Sequence, residues 1–213
     1  MDGLTFMNSR EPSESPLKRL SDALITIILL GFLFTVTSLG VVTVGASLAA
    51  LNAAMRSFEV DHDTHAVARF FPSFRRYFKA ATLVWLIHLL ILAVLGIDLL
   101  YYSAGTETVD TLAMTAILVL LTLLVFELSV VFACMVEYEI HSVREAMKRA
   151  FDVAFRCFFE SFEMLVLTLS VLLLGVFLLH GILIFAGGII AFANWKILPV
   201  MFRKYHFRRL DNK

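Results

Sequence analysis

The sequence has little charge and long stretches without any basic residue. Only 17% of its 213 residues are charged and 60% are hydrophobic, whereas about a quarter of a soluble domain is charged and about half is apolar. Lys and Arg are absent from residues 80–143 and again from residues 157–195. A soluble fold could not bury this much Leu, Phe and Val, so the sequence predicts an all-α, polytopic membrane helix bundle.

The sequence also lacks the residues that most enzymes and metalloproteins need. Its two cysteines, Cys134 and Cys157, are too few for a disulfide scaffold or a structural zinc site. It contains no H-E-x-x-H, G-x-S-x-G or Walker A motif. Glu137, Glu139 and His141 come nearest to a metal set, but only the first and last share a helical face. We therefore expect no enzymatic activity, no cofactor and no metal.

Apolar runs predict about five transmembrane helices, since about 20 helical residues cross a hydrocarbon layer ~30 Å thick. Residues 1–16 are polar and proline-containing, which predicts a disordered tail, and residues 17–213 form a single membrane domain. The expected spans lie near residues 20–40, 81–102, 112–138, 164–179 and 182–201.

The positions of the basic residues orient these spans. After residue 55 they fall in two loops, 56–79 and 139–160, and near the C-terminus, whereas the loop 103–111 has none. Because cytoplasmic loops are enriched in Lys and Arg, we expect those loops and the C-terminus to be cytoplasmic and residues 103–111 to lie outside. The expected location is the plasma membrane, crossed several times. Topology and an anionic cytoplasmic leaflet explain the basic loops better than nucleic acid does.

The sequence leaves the side of the N-terminus open. Five full spans would place it outside, with Arg10, Lys18 and Arg19 against the charge rule. Alternatively, a reversal at residues 40–45 followed by a short re-entrant helix, Gly45–Met55, would place all 18 basic residues in the cytoplasm. Because Gly45–Met55 would cover only about 16 Å as a helix, we favour five full spans.

Two further segments, 64–79 and 143–162, combine a Phe-rich face with basic residues at helical spacing. Such helices lie in the interface of an anionic membrane leaflet, so lipid is an expected partner. The alternative is that each segment extends the following span into the cytoplasm and packs on its neighbours. The stripes consist of Phe70, Phe74, Tyr77 and Phe78 in the first segment, and Met147, Phe151, Phe155, Phe158 and Phe162 in the second.

Two ionisable residues lie deep within predicted spans. Glu127 is near the centre of residues 112–138, and His88 is seven residues into residues 81–102. An ionisable group in a span is costly, about 2.5–3.5 kcal/mol at the centre for Asp on insertion scales, and is a candidate functional group. One interpretation is a proton- or substrate-binding pair near the break at Thr43 and Gly45. The other is that Glu127 is a protonated acid that serves helix packing.

Residues 39–81 combine the end of an apolar helix, a turn, a small-residue helix that ends in a basic residue, and a Phe-rich helix. The residues that carry this pattern are Thr43, Gly45, Ala46, Ala49, Ala50, Arg56, Phe71, Phe74, Phe78 and Ala81. The pattern resembles that of the YesL-like family of bacterial membrane proteins, domain of unknown function 624. This sequence departs from the family pattern at Ala46, where a Pro is common, and at Pro72 and Lys79.

The resemblance implies a role around sugar import, because similar proteins are often found near carbohydrate-uptake genes. We therefore expect a non-enzymatic accessory or regulatory component, whose partner is a sugar-transport permease or a second copy of the chain. The alternative is a small-solute permease with a midplane site around Glu127 and His88.

Overall fold

The computed structural model describes residues 16–63, 65–105, 107–177 and 183–210. Residues 1–15 of the expected tail and the link between the last two expected spans, residues 180–181, lie outside this range. The described residues form helices and contain no strand, which confirms the all-α prediction. The helices are α1 (Pro16–Thr37), α2 (Val44–Glu59), α3 (Phe70–Ser103), α4 (Thr108–Glu137), α5 (Val143–Arg156), α6 (Phe158–Phe177) and α7 (Leu183–Leu210), with short 3-10 turns at Val41–Thr43 and Ala66–Arg69.

Within the described residues, five helical segments are long and apolar enough to cross a membrane. Ser21–Thr37 is also apolar but shorter. A polytopic helix bundle is therefore confirmed, although the set of segments differs from the expected one, because Val41–Glu59 qualifies. The five are Val41–Glu59, Ala66–Ser103, Thr108–Glu137, Phe158–Val176 and Ile184–His206.

The chain reverses direction between α1 and α2. Helix α1 runs antiparallel to α7, since Thr35 Oγ1 donates a hydrogen bond to the Ile184 carbonyl (2.7 Å), while Ile27, earlier in α1, lies against Gly188. Helix α2 runs back beside α7, where Trp195 Nε1 donates to Asn52 Oδ1 (3.0 Å).

Our preference for a first span without a reversal was therefore wrong. The Thr43 hydroxyl bonds within the turn: Thr43 Oγ1 lies 2.6 Å from the Thr37 carbonyl and 2.7 Å from the Gly40 carbonyl, whereas Ser38 Oγ is buried without a partner among the described residues. Trp85 Nε1 in α3 donates to the Val41 carbonyl (2.8 Å). These bonds let the backbone turn among apolar helices.

The first predicted interfacial helix, 64–79, is not a separate element. After the 3-10 turn, α3 continues unbroken for 34 residues, about 51 Å at the usual rise. Pro72 lies in the first turn, where a missing N–H costs nothing, and Phe70 and Tyr77 are buried. The alternative interpretation, an extension of the following span packed on its neighbours, is correct for this segment.

The second predicted interfacial helix, 143–162, is divided in two. At Cys157 the backbone (φ −112°, ψ 49°) leaves the helical region, so α5 ends and α6 begins. Helix α5 buries a face of small residues, Ala146, Ala150, Val153 and Ala154. Its phenylalanines lie on the outer side, with Phe151 53% and Phe155 40% exposed.

Ion pairs link the helices at the end where α2 and α4 finish. Arg56 of α2 bonds Glu137 of α4 (2.7 Å), and Glu59 pairs with Lys196 of α7. Lys204, also of α7, pairs with Glu160 of α6. This charged end fixes the relative positions of four helices, whereas the opposite halves of α3 and α4 are largely exposed and apolar.

The loop from α2 to α3 belongs to the same charged end and is organised around Asp63. Its carboxylate accepts hydrogen bonds from Arg69 Nε (2.8 Å), from the His65 backbone (2.8 Å) and from Ser57 Oγ (3.0 Å). These bonds lower the pKa of Asp63 to about 2, and the hydrogen bond from Arg69 has the largest effect. The loop therefore keeps its carboxylate ionised down to strongly acidic pH.

Close helix contacts predict which glycines tolerate a side chain. A Cβ on Gly45 would lie 2.3 Å from the Ala81 carbonyl oxygen, and one on Gly188 would lie 2.2 Å from that of Ile27. We expect Gly45→Ala and Gly188→Ala each to cost on the order of 1–3 kcal/mol, measured by thermal unfolding in detergent. Gly96→Ala is the matched control, because nothing lies within 4 Å of a Cβ there. Equal melting temperatures for all three variants would contradict this packing.

The reversal after α1 predicts that both chain ends lie on the same side of the membrane. We expect Ser9→Cys and Asn212→Cys to resist an impermeant thiol reagent in intact cells, while the exposed Ala104→Cys reacts. The native thiols, Cys134 and Cys157, are fully buried and give little background. Labelling of Ser9→Cys but not Asn212→Cys in intact cells would show that the ends lie on opposite sides.

Candidate functional site

The structure brings the two predicted ionisable residues, His88 and Glu127, into direct contact. His88 is on α3 and Glu127 on α4, and their Nε2 and Oε2 atoms lie 2.5 Å apart. His88 is fully buried and Glu127 is 5% exposed. A short hydrogen bond therefore joins the two spans away from their ends.

The backbone fixes which nitrogen of His88 carries a proton. Nδ1 lies 2.8 Å from the Val84 carbonyl oxygen, which accepts only, so Nδ1 is the donor. In a neutral ring Nε2 must then accept, and its bond to Glu127 requires a proton from the carboxylic acid. The pair is thus either imidazole with a carboxylic acid or imidazolium with a carboxylate. Both forms have zero net charge, which suits a buried site.

The other carboxyl oxygen of Glu127 is buried and has no hydrogen-bond partner among the described residues. Glu127 also lines an apolar crevice of about 390 Å³ between α3, α4 and α5. The site therefore holds one shared proton beside an unused acceptor. The other lining residues are Ile91, Leu95, Leu120, Leu123, Leu124, Met147 and Phe151.

The structure places Thr43 and Gly45, the other two predicted site residues, in the reversal after α1. The Thr43 hydroxyl bonds to carbonyl groups of the same turn, and Gly45 lets α2 approach the α3 backbone at Ala81. Their contacts are therefore those of a tight turn and of helix packing, separate from the hydrogen bonds of His88 and Glu127.

The three side chains near the end of α4 that came nearest to a metal site all make other contacts. Glu137 bonds Arg56, Glu139 pairs with Arg76 (3.2 Å), and the His141 ring stacks on Tyr77 at 5.3 Å. In the part of the chain that the structure describes, no group of three or more His, Cys, Asp or Glu residues could hold a metal ion.

Sequence reasoning missed a second cavity, of about 380 Å³, enclosed by α1, α2, α4, α6 and α7. Asn194 lies within the last expected span, is only 9% exposed and lines this cavity. The feature of the sequence that could have indicated this cavity is a polar amide side chain, Asn194, within an apolar run. The polar lining residues are Asn52, Ser129, Thr168 and Asn194.

Residues 24–99 match the model of the family DUF624, described as a protein of unknown function. The matched segment covers most of α1, the reversal, α2 and most of α3, and so includes His88 but not Glu127. No curated protein and no solved structure matches the chain.

A double-mutant cycle tests the hydrogen bond between α3 and α4. Glu127→Leu leaves the buried Nε2 of His88 without a partner and should cost about 1–3 kcal/mol, whereas Glu127→Gln keeps an N–H that donates to Nε2 and should cost less. Each single variant loses the hydrogen bond between His88 and Glu127, and the double variant, His88→Leu with Glu127→Leu, cannot lose it a second time. The double variant should therefore be destabilised by about 0.5–3 kcal/mol less than the sum of the two single variants. Thermal unfolding in detergent measures this coupling. Strictly additive effects would show that the two side chains do not interact.

Proposed function

We propose that this multi-pass membrane protein is a non-enzymatic accessory or regulatory component of carbohydrate uptake. The proposal starts from the DUF624 match over residues 24–99, which confirms the predicted resemblance. The protein would reside in the plasma membrane with its charged end in the cytoplasm, and its partner would be a sugar-transport permease. The chemistry of the two cavities is the observation that carries this proposal.

Neither cavity suits a free sugar. The crevice beside His88 and Glu127 has otherwise apolar lining side chains, and the second cavity has four polar lining residues among seventeen. A sugar must replace the hydration of several hydroxyl groups, and each polar group buried without a partner costs about 1–3 kcal/mol. A role beside a permease is therefore better supported than transport of sugar through this chain.

The charged end supplies a surface that a partner or an anionic leaflet would contact. Tyr77 stacks on His141 and Arg76 pairs with Glu139, so the start of α3 is held beside the link from α4 to α5. Five further basic residues on this end are exposed and make no ion pair with another described residue. They are Arg75, Lys79, Arg144, Lys148 and Arg203.

The second candidate function, a small-solute permease, is favoured by the His88–Glu127 pair. A buried hydrogen bond with a shared proton and an unused oxygen has the composition of a proton-coupled site. Such a permease would carry a largely apolar solute, because the crevice is apolar. The two functions differ in whether the isolated chain moves a solute.

Reconstitution distinguishes them. We expect the purified chain in liposomes to take up no labelled monosaccharide or disaccharide, with or without a pH gradient. In cells, deletion should lower uptake of the sugar carried by the partner permease, and a complementing Arg144→Gln/Lys148→Gln variant should fail to restore it. Because both positions are exposed, membrane levels and thermal stability should match those of the unmodified protein.

Asp98→Asn, towards the opposite end of α3, is the matched charge-removing control and should restore uptake. Accumulation of a labelled solute, sugar or apolar, by the chain alone, abolished by Glu127→Gln in folded protein, would instead establish the permease. Normal uptake after deletion under every sugar tested would contradict a role in carbohydrate import.

A further inference from the structure

The second cavity has the features of a ligand site. Its volume, about 380 Å³, falls within the roughly 300–1,000 Å³ of small-molecule pockets. Among the described residues that line it, none has an ionisable side chain. A charged ligand would lose its hydration without compensation in such a cavity, so only a neutral one is suitable.

Asn194 of α7 provides an unused polar group in this cavity. Its Oδ1 atom is buried without a hydrogen-bond partner among the described residues, and the side chain is more than nine-tenths buried. Two of the three other polar lining residues, Asn52 and Ser129, are already engaged. Asn52 donates to the Leu48 carbonyl (2.8 Å) and accepts from Trp195, while Ser129 donates to the Val125 carbonyl (2.9 Å).

A hydroxyl group is the natural complement of a single buried carboxamide. It donates to the amide oxygen and can also accept from the amide nitrogen, so it satisfies either end of the group. The rest of the lining is mainly aliphatic and aromatic, which favours a hydrocarbon chain as the remainder of the ligand.

The cavity borders the surface of α6 that faces away from the bundle. Leu169 and Leu172 both line it and are 48% and 40% exposed. Because α6 is an apolar candidate span, this side faces hydrocarbon in a membrane. A ligand would thus enter from the lipid phase rather than from water.

We propose that the cavity between α4, α6 and α7 binds a neutral long-chain alcohol or hydroxyl-bearing lipid, whose hydroxyl group donates a hydrogen bond to Asn194 Oδ1. This site is separate from the His88–Glu127 crevice and does not depend on the proposed role in carbohydrate uptake.

Photo-crosslinking of the full chain in lipid nanodiscs tests the proposal. The probe is a hexadecanol that carries a diazirine on its chain, and the matched probe is its methyl ether, which cannot donate. We expect the alcohol to label the α4, α6 and α7 residues that line the cavity, with competition by dodecanol but not by dodecane. Asn194→Leu should lower labelling by the alcohol about three- to tenfold, the loss of one hydrogen bond, and leave labelling by the ether unchanged.

A second pair of variants avoids changing a buried residue. Leu169→Trp should fill the mouth of the cavity and abolish labelling, whereas Leu173→Trp, exposed on the same helix but outside the lining, should not. Thermal unfolding confirms that each variant is folded. Equal labelling by the alcohol and the ether, or full labelling of folded Leu169→Trp, would overturn the proposal, as would labelling confined to the crevice beside Glu127.

Discussion

Inside hydrocarbon a polar group finds hydrogen-bond partners only within the protein, and this constraint determines much of the architecture. Where α3 and α4 meet, it joins His88 to Glu127. Where α1 turns into α2, the Thr43 hydroxyl and the Trp85 indole donate hydrogen bonds to backbone carbonyls of the turn. Where α2 meets α7, it engages Asn52 with Trp195. Each bond lies at a contact between elements, so satisfaction of buried polar groups also fixes how the helices are positioned.

Close packing of small residues provides the second constraint. Apolar side chains gain no free energy by leaving lipid for one another, so helices in a membrane associate where their backbones approach closely. Gly188 lies against the α1 backbone and Gly45 against the α3 backbone, while α5 buries Ala146, Ala150 and Ala154. Large side chains occur both inside and outside: Trp195 and Phe70 are buried in the core, whereas Phe151 lies on an outer face, where lipid can cover it. Small residues thus mark the places where two helix backbones approach closely, and large residues fill the remaining interior and much of the exposed surface.

The sequence predicted the helical membrane class and the unusual residues, because both follow from composition and local runs. Glu127 and His88 stood out as ionisable groups among apolar neighbours, but their contact joins residues 39 positions apart and depends on the register of α3 against α4, which no local pattern encodes. The reversal after α1 is hard to predict because the small-residue run Gly45–Met55 is too short to span a membrane, whereas the helical segment extends over Val41–Glu59. The break at Cys157 has no glycine or proline to signal it and arises where α5 turns to bury its alanine face.

Helix α4 separates two chemically different cavities. Leu120, Leu123, Leu124 and Glu127 recur at helical spacing and line the crevice towards α3 and α5. Val125, Leu128, Ser129 and Phe132 recur on another face and line the cavity towards α6 and α7. Because α4 is apolar on all sides, as a helix surrounded by protein and lipid should be, polarity enters only at single positions. One cavity has a carboxyl group that shares a proton with His88, and the other has the neutral carboxamide of Asn194. Isolated polar groups of this kind recognise one functional group on an otherwise apolar molecule, so both cavities are chemically closer to lipid than to sugar.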